Sequence, residues 1–161
     1  TPEKPEQSAD PAEITRRVIE DLEAANFVER ARIIAFDWRV LRLARQARPE
    51  IQTAHLNVPK ILEARVKLLA SGDSPWVDGH DPRHHGGSVP SAIAATGGSH
   101  WSAYFADLTT DNVAEARTLG LSVAAWGLDE TVDIRRMLAL DVASVTVSRP
   151  DTAGAARFAQ H

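Results

Sequence analysis

The chain has 161 residues, enough for one domain with a real hydrophobic core. Its 43% hydrophobic and 25% charged content is ordinary for a soluble globular protein, and a net charge of -4 points to neither nucleic acid nor an anionic membrane surface as a partner. No apolar run approaches the roughly 18 residues of a membrane span. The absence of Cys excludes disulfides, zinc-thiolate sites and thiol catalysis, without choosing between cytosol and periplasm.

In chain order, residues 1–9 are polar, carry two Pro and read as an irregular lead-in. The chain opens on Thr1 rather than Met, as expected of a processed protein or a fragment. Asp10-Pro11-Ala12-Glu13 is a helix start: Asp at the cap, Pro in the first turn, Glu three residues on. That helix is expected to run to about Ala25 and to bury Ile14, Val18, Ile19 and Leu22. Arg32 to Phe36 reads as a strand, Trp38 to Ala47 as a helix stopped before Pro49, and Gln52 to Leu56 as a strand. Asp37 is placed to cap the helix that follows it, with a catalytic role at a strand end as the alternative. Arg39, Arg42, Arg45 and Arg48 recur near the helical period and read as a solvated outer face.

Lys60 to Ala70 is an amphipathic helix pattern, and residues 71–87 form a polar insertion with three His. Pro90 to Ala95 is a short helix that Gly97-Gly98 would cap; His100 to Phe105 is a strand, and Asp111 to Leu119 a helix ended by Gly120. Ser122 to Trp126 is a short apolar run, as in a strand covered on both faces. Asp129 is placed to cap a helix with Val132, Ile134, Met137, Leu138 and Leu140 on its apolar side. Val142 to Val147 is a β-branched strand stopped by Pro150, and Thr152 to Ala159 reads as a closing helix.

Strand starts recur about every 20 to 22 residues apart from the insertion, the rhythm of an α/β barrel or a doubly wound sheet. A complete barrel takes about 250 residues, so roughly five strands are too few to close one. In a barrel the active residues stand at the carboxyl ends of the strands. Those ends here carry Phe36, His55, Tyr104, Trp126 and Ser148. Phe36, Tyr104 and Trp126 can wall a pocket; the alternative is that the rings plug the top of the core. His80, His84 and His85, with Asp78 and Asp81, are a rival metal site, but Pro82 and the flanking Gly residues put them in a loop or lid, where helical spacing carries little weight. No nucleophile elbow, P-loop or dinucleotide fingerprint occurs.

Three ordered stretches carry a family resemblance. GLSVAAWGLDETVDIRRMLALDVASVTVSRPD resembles the C-terminal end of the glycerophosphodiester phosphodiesterases, with Gly120, Leu121, Val123, Trp126, Val142, Pro150 and Asp151 matching. RARIIAFDWRVLRLARQARPEIQTAHL is similar to that family's segment around Phe-Asp-Trp. SPWVDGHDPRHHGGSVPSAIAATGGSHWSAYFADLTTDNVAEARTLGL is similar to a bacterial subgroup with S-P-W, H-G-G-S-V-P and W-S-P-Y. Departures include Ile34-Ala35 for Gln-Ser, Gly127 for Thr, and Val147-Ser148 for Thr-Asp.

The resemblance implies a single α/β domain over 1–161, the C-terminal portion of a TIM (β/α)8 barrel with about five strands and no closure. It implies hydrolysis of a glycerophosphodiester to an alcohol and glycerol 3-phosphate, in lipid and glycerol metabolism, with Ca2+ or Mg2+ and two His for acid-base work. It makes Trp126, Phe36 and Tyr104 the walls of a pocket for a small polyol phosphate. The motifs that carry the catalytic His and metal ligands in the family do not occur in this chain, so the chain alone is expected to bind no metal and to be inactive. Its expected partners are the glycerophosphodiester and either the N-terminal half of the barrel or further copies of itself. The alternative is a non-catalytic degenerate homologue, or a half-barrel that oligomerises as a binding module.

Overall fold

The computed structural model describes residues 9–57 and 74–151, so the expected helices at 60–70 and 152–159 lie outside the described residues. Five strands, β1 (Arg32–Ala35), β2 (Gln52–Leu56), β3 (His100–Tyr104), β4 (Ser122–Leu128) and β5 (Ser144–Val147), form one sheet in the order of the chain. Every pairing is parallel. A doubly wound sheet reverses its strand order at a switch point; this one does not, which selects the barrel-type rhythm. The helices are α1 (Pro11–Ala24), α2 (Trp38–Ala47), α3 (Val89–Ala95), α4 (Thr110–Thr118) and α5 (Thr131–Ala139).

Local chemistry sets most of the boundaries. Asp10 accepts from the Ala12 N–H at 2.8 Å and Asp37 from the Arg39 N–H at 3.1 Å, each meeting a backbone donor that a helix start leaves orphaned. Thr109 and Asn112 form a reciprocal capping box on α4. Gly120, at φ +76°, turns the chain out of α4, and the Leu121 N–H returns to the Ala116 carbonyl at 2.8 Å. Glu130, not Asp129, precedes α5, and it caps with no side-chain hydrogen bond.

The core lies between the convex face of the sheet and the helices. Leu41, Ile93, Trp101, Val123, Ile134 and Met137 are among its members. Two expected burials differ. On α1, Ile14 and Val18 are 38% and 36% exposed, while Thr15 and Ile19 are buried. These two lie one helical turn apart, so the buried stripe is rotated by one residue and shared with Thr15, whose hydroxyl is satisfied by the Pro11 carbonyl at 2.7 Å. On α5, Val132 is 71% exposed, because Ile134 and Met137 already fill the sheet-facing side.

The arginines of α2 do not form a solvated face. Arg42 pairs with Asp78 of the insertion and Arg48 with Glu23 of α1. Arg45 is half-buried: it donates to the Thr96 carbonyl at 2.8 Å and the Thr53 hydroxyl at 3.3 Å. Burial lowers the Arg45 pKa, with Asp78 opposing that shift. The insertion is built, not loose. From Ser74 onward it holds two 3-10 turns, Pro75–Val77 and Pro82–His85, with Ser74, Val77 and Asp81 buried.

The sheet curls strongly. Three strand spacings of about 4.8 Å would hold residues on β1 and β4 roughly 14 Å apart on a flat sheet. Phe36, at the end of β1, instead meets Trp126 of β4 with ring centroids 6.2 Å apart. The result is a half-barrel whose concave face carries the side chains that point away from the helices.

Candidate functional site

Strand parity decides which side chains reach the concave face. Val123 and Ala125 point into the helix-covered core, so Trp126 points the other way. Leu128 would follow Trp126 onto the concave face, but it is fully buried in the core. An irregularity in the β4–β5 register between Trp126 and Leu128 explains the switch: Gly127, at φ +83°, is an extra residue that resets the alternation. Alternation therefore sends Trp126 into the mouth, and a single bulge returns Leu128 to the core.

The same glycine makes room for Tyr104. A Cβ at position 127 would lie 2.7 Å from Tyr104 Cε2. Tyr104 and Trp126 have centroids 5.2 Å apart with planes at 57°, and Phe36 stands at 88° to Trp126. The Trp126 indole N–H donates to the Ser102 carbonyl at 3.3 Å, which fixes the ring against β3. The three aromatics singled out in the sequence thus come together at the carboxyl end of the concave face, each partly exposed.

The neighbouring polar groups are largely engaged. Asp37, beside Phe36, accepts from the Arg39 Nε at 2.9 Å and from its terminal guanidinium nitrogen at 2.7 Å, besides capping α2. The Trp101 indole N–H donates to Asn57 Oδ1 at 2.8 Å. Arg149 pairs with Asp151 at 2.9 Å. His80 and His85 stack with centroids 5.9 Å apart, but Asp78 is paired with Arg42, and Asp81 caps the turn and pairs with Arg83 at 2.6 Å. The Arg83 hydrogen bond holds the Asp81 pKa below the usual carboxylate range, against the effect of burial. Among the described residues no three His, Asp or Glu side chains converge as a metal site would require.

His55 is the site-like residue that the sequence left as a strand end. It is fully buried, on the helix side of β2, with its ring edge-on to Trp38 at 5.2 Å. The Thr96 hydroxyl donates to the Ile93 carbonyl at 2.7 Å and accepts from the Gly98 N–H at 3.1 Å. It also lies 3.1 Å from His55 Nε2, a contact in which either group donates according to the imidazole tautomer. Nδ1 has no hydrogen-bond partner among the described residues. Burial pushes the His55 pKa down to about 4; Arg45 adds to that shift and the His100 backbone opposes it. His55 faces the helices, away from the aromatic mouth, and is a structural residue.

Comparison with known proteins now fits the geometry. No curated protein sequence matches the chain. A solved structure from Silicibacter pomeroyi, assigned as a glycerophosphoryl diester phosphodiesterase, is 27% identical with a TM-score of 0.73, over 94% of this chain and 48% of that one. A glycerophosphodiester phosphodiesterase from Parabacteroides distasonis is 14% identical with a TM-score of 0.68, over 100% of this chain and 55% of that one. One from Agrobacterium tumefaciens is 18% identical with a TM-score of 0.58, over 94% and 53%. The last two speak for the fold alone, and this chain spans about half the length of all three. The sequence also matches the model of the glycerophosphoryl diester phosphodiesterase family over residues 1–152, and with that match the chain belongs to this family.

Proposed function

We propose that this chain forms the substrate-binding wall of a glycerophosphodiester phosphodiesterase, and that the acid-base histidines and cation ligands of the reaction lie outside it. The observation that carries this reading is the gathering of Phe36, Tyr104 and Trp126 from three strands at the carboxyl end of the concave face. That is where α/β barrels place their chemistry. The rings offer apolar surface to the organic part of a diester and exclude water from it. They offer no charge to the phosphate. The divalent cation that the family resemblance implies does not fit the described residues: no three His, Asp or Glu side chains converge, and Asp37 at the mouth is paired with Arg39.

The curl of the sheet bears on the partner. Rings on β1 and β4 meet across four strands, which is consistent with the curvature of an α/β barrel. A barrel of eight strands takes three beyond these five, whereas a second copy of this chain would bring five. The partner in this reading is therefore the rest of a barrel, not a second copy.

Titrating the 161-residue chain with a glycerophosphodiester and following indole fluorescence tests the binding role. Saturable quenching is expected, and Trp126→Ala should weaken the affinity about tenfold or more, roughly 1.4 kcal/mol. A variant that is folded by circular dichroism and binds as tightly as the parent would remove Trp126 from the site.

A further inference from the structure

We infer that Arg136, on α5, is a positioning residue for the aromatic mouth: it sets where the Tyr104 ring stands against Trp126. This role rests on the binding function proposed above. The Arg136 guanidinium donates to the Phe105 carbonyl at 2.9 Å and to the Leu108 carbonyl at 3.4 Å, and it lies over the Phe105 ring, 5.6 Å from the centroid. The Phe105 carbonyl also accepts the Leu108 N–H at 3.3 Å, which closes the 3-10 turn Phe105–Asp107 that follows β3. One cation thus grips both ends of that turn, through charge-assisted hydrogen bonds and a ring contact.

The grip passes from ring to ring. Phe105 meets Tyr104 with centroids 4.9 Å apart and planes at 64°, and Tyr104 meets Trp126 at 5.2 Å and 57°. The Tyr104 backbone is fixed by its register with Trp126, but its ring is placed by packing. Gly127 bounds the ring, since a Cβ there would lie 2.7 Å from Tyr104 Cε2 and 3.8 Å from Phe105 Cδ1. Phe105 is the neighbour that can yield, because it opens a turn rather than continuing a strand, and Arg136 is what holds it. Helix α5 follows β4 directly, so Trp126 and Arg136 belong to one β-α unit. The unit that carries one wall of the mouth also fixes the wall beside it.

Tyr104 is the single tyrosine of the chain, so ring-labelled tyrosine gives one set of NMR signals, shifted by the ring currents around it. Arg117 is the control: from α4 it donates to the Leu140 and Asp141 carbonyls, at the C-terminal end of α5 and away from the mouth. Glycerophosphocholine affinity is read by fluorescence titration of the 161-residue chain and its variants. Arg136→Ala should move the Tyr104 signals and weaken affinity about fivefold, while Arg117→Ala moves no signal and changes affinity less than about twofold. Arg136→Lys keeps the charge and one donor but not the flat fork, and should fall between the parent and Arg136→Ala. It carries both readings if Arg136→Ala does not fold. In a Tyr104→Leu background Arg136→Ala should cost less than about twofold, since the ring it positions is gone. Unmoved Tyr104 signals, unchanged affinity, equal effects of Arg117→Ala, or the full loss persisting without Tyr104 would each overturn the positioning role and leave the binding reading standing. An unaltered chain that binds no glycerophosphocholine would overturn both.

Discussion

Acidification from pH 7 to pH 4 should remove about 3 kcal/mol of stability from this fold, with His55 as the main cause. The sign follows from the two states. In the unfolded chain the imidazole titrates near its ordinary value of about 6.5. In the folded chain burial pushes its pKa down to about 4. The unfolded state therefore binds the proton first as pH falls. The stability due to neutral His55 is fully present above about pH 6.5 and is lost progressively down to about pH 4. The difference between those two values corresponds to about 3 kcal/mol. His100, whose pKa is lowered by burial and by Arg32, adds with the same sign. Urea unfolding at pH 7 and at pH 4 measures the loss. His55→Gln, which keeps a polar partner for the Thr96 hydroxyl without an ionising ring, should flatten most of the slope. A variant with the parent's full pH dependence would show that His55 is not its source.

Gly98→Ala should cost about 2–3 kcal/mol, a loss of roughly 4–10 °C in melting temperature. Its backbone is not in the left-handed region, so the cost is steric. The added methyl would lie 2.5 Å from His55 Cε1, 2.8 Å from Nδ1 and 3.0 Å from Ile93 Cγ2. The imidazole has nowhere to retreat: Thr96 holds one side and Trp38 meets it edge-on. Gly97, one residue earlier, is the control. It has φ +74° and open space around a Cβ, so Gly97→Ala carries backbone strain alone, on the order of 1 kcal/mol. The pairing of Gly98 with His55 has its own signature. His55→Ala leaves a cavity that the new methyl enters, so the double variant should be less destabilised than the sum of the two single ones. Thermal melts of the four proteins measure this, and strict additivity would contradict the contact.

Much of the fold was legible in the sequence because local chemistry decides it. Asp10 and Asp37 cap where a short acceptor side chain precedes an apolar helical stripe, and Gly120 ends α4 at the residue that needs a left-handed backbone. The strand rhythm admitted two sheet types, and only the pairing order separates them. The candidate rings were legible as residues at strand ends, but their meeting was not. Phe36 and Trp126 are brought together by the curl of four strands, and Trp126 faces inward beside a buried Leu128 only because of the bulge at Gly127. A two-residue alternation read along Ser122–Leu128 cannot contain that switch. The role of His55 was also out of reach, since its partner Thr96 lies 41 residues away. Arg45 misled for a related reason. The helical period put it with Arg39, Arg42 and Arg48, but the acceptors that draw it inward belong to β2 and the end of α3.

The chain belongs to the phosphodiesterase family, and the function proposed for it is a division of labour in which it holds substrate while the reacting groups come from elsewhere. The most direct measurement is release of glycerol phosphate from glycerophosphocholine by the 161-residue chain alone, with Mg2+ and with Ca2+. No release above the protein-free background is expected. Hydrolysis that saturates with substrate and is abolished by a chelator would place catalytic and metal-binding groups within these residues, and would contradict the account.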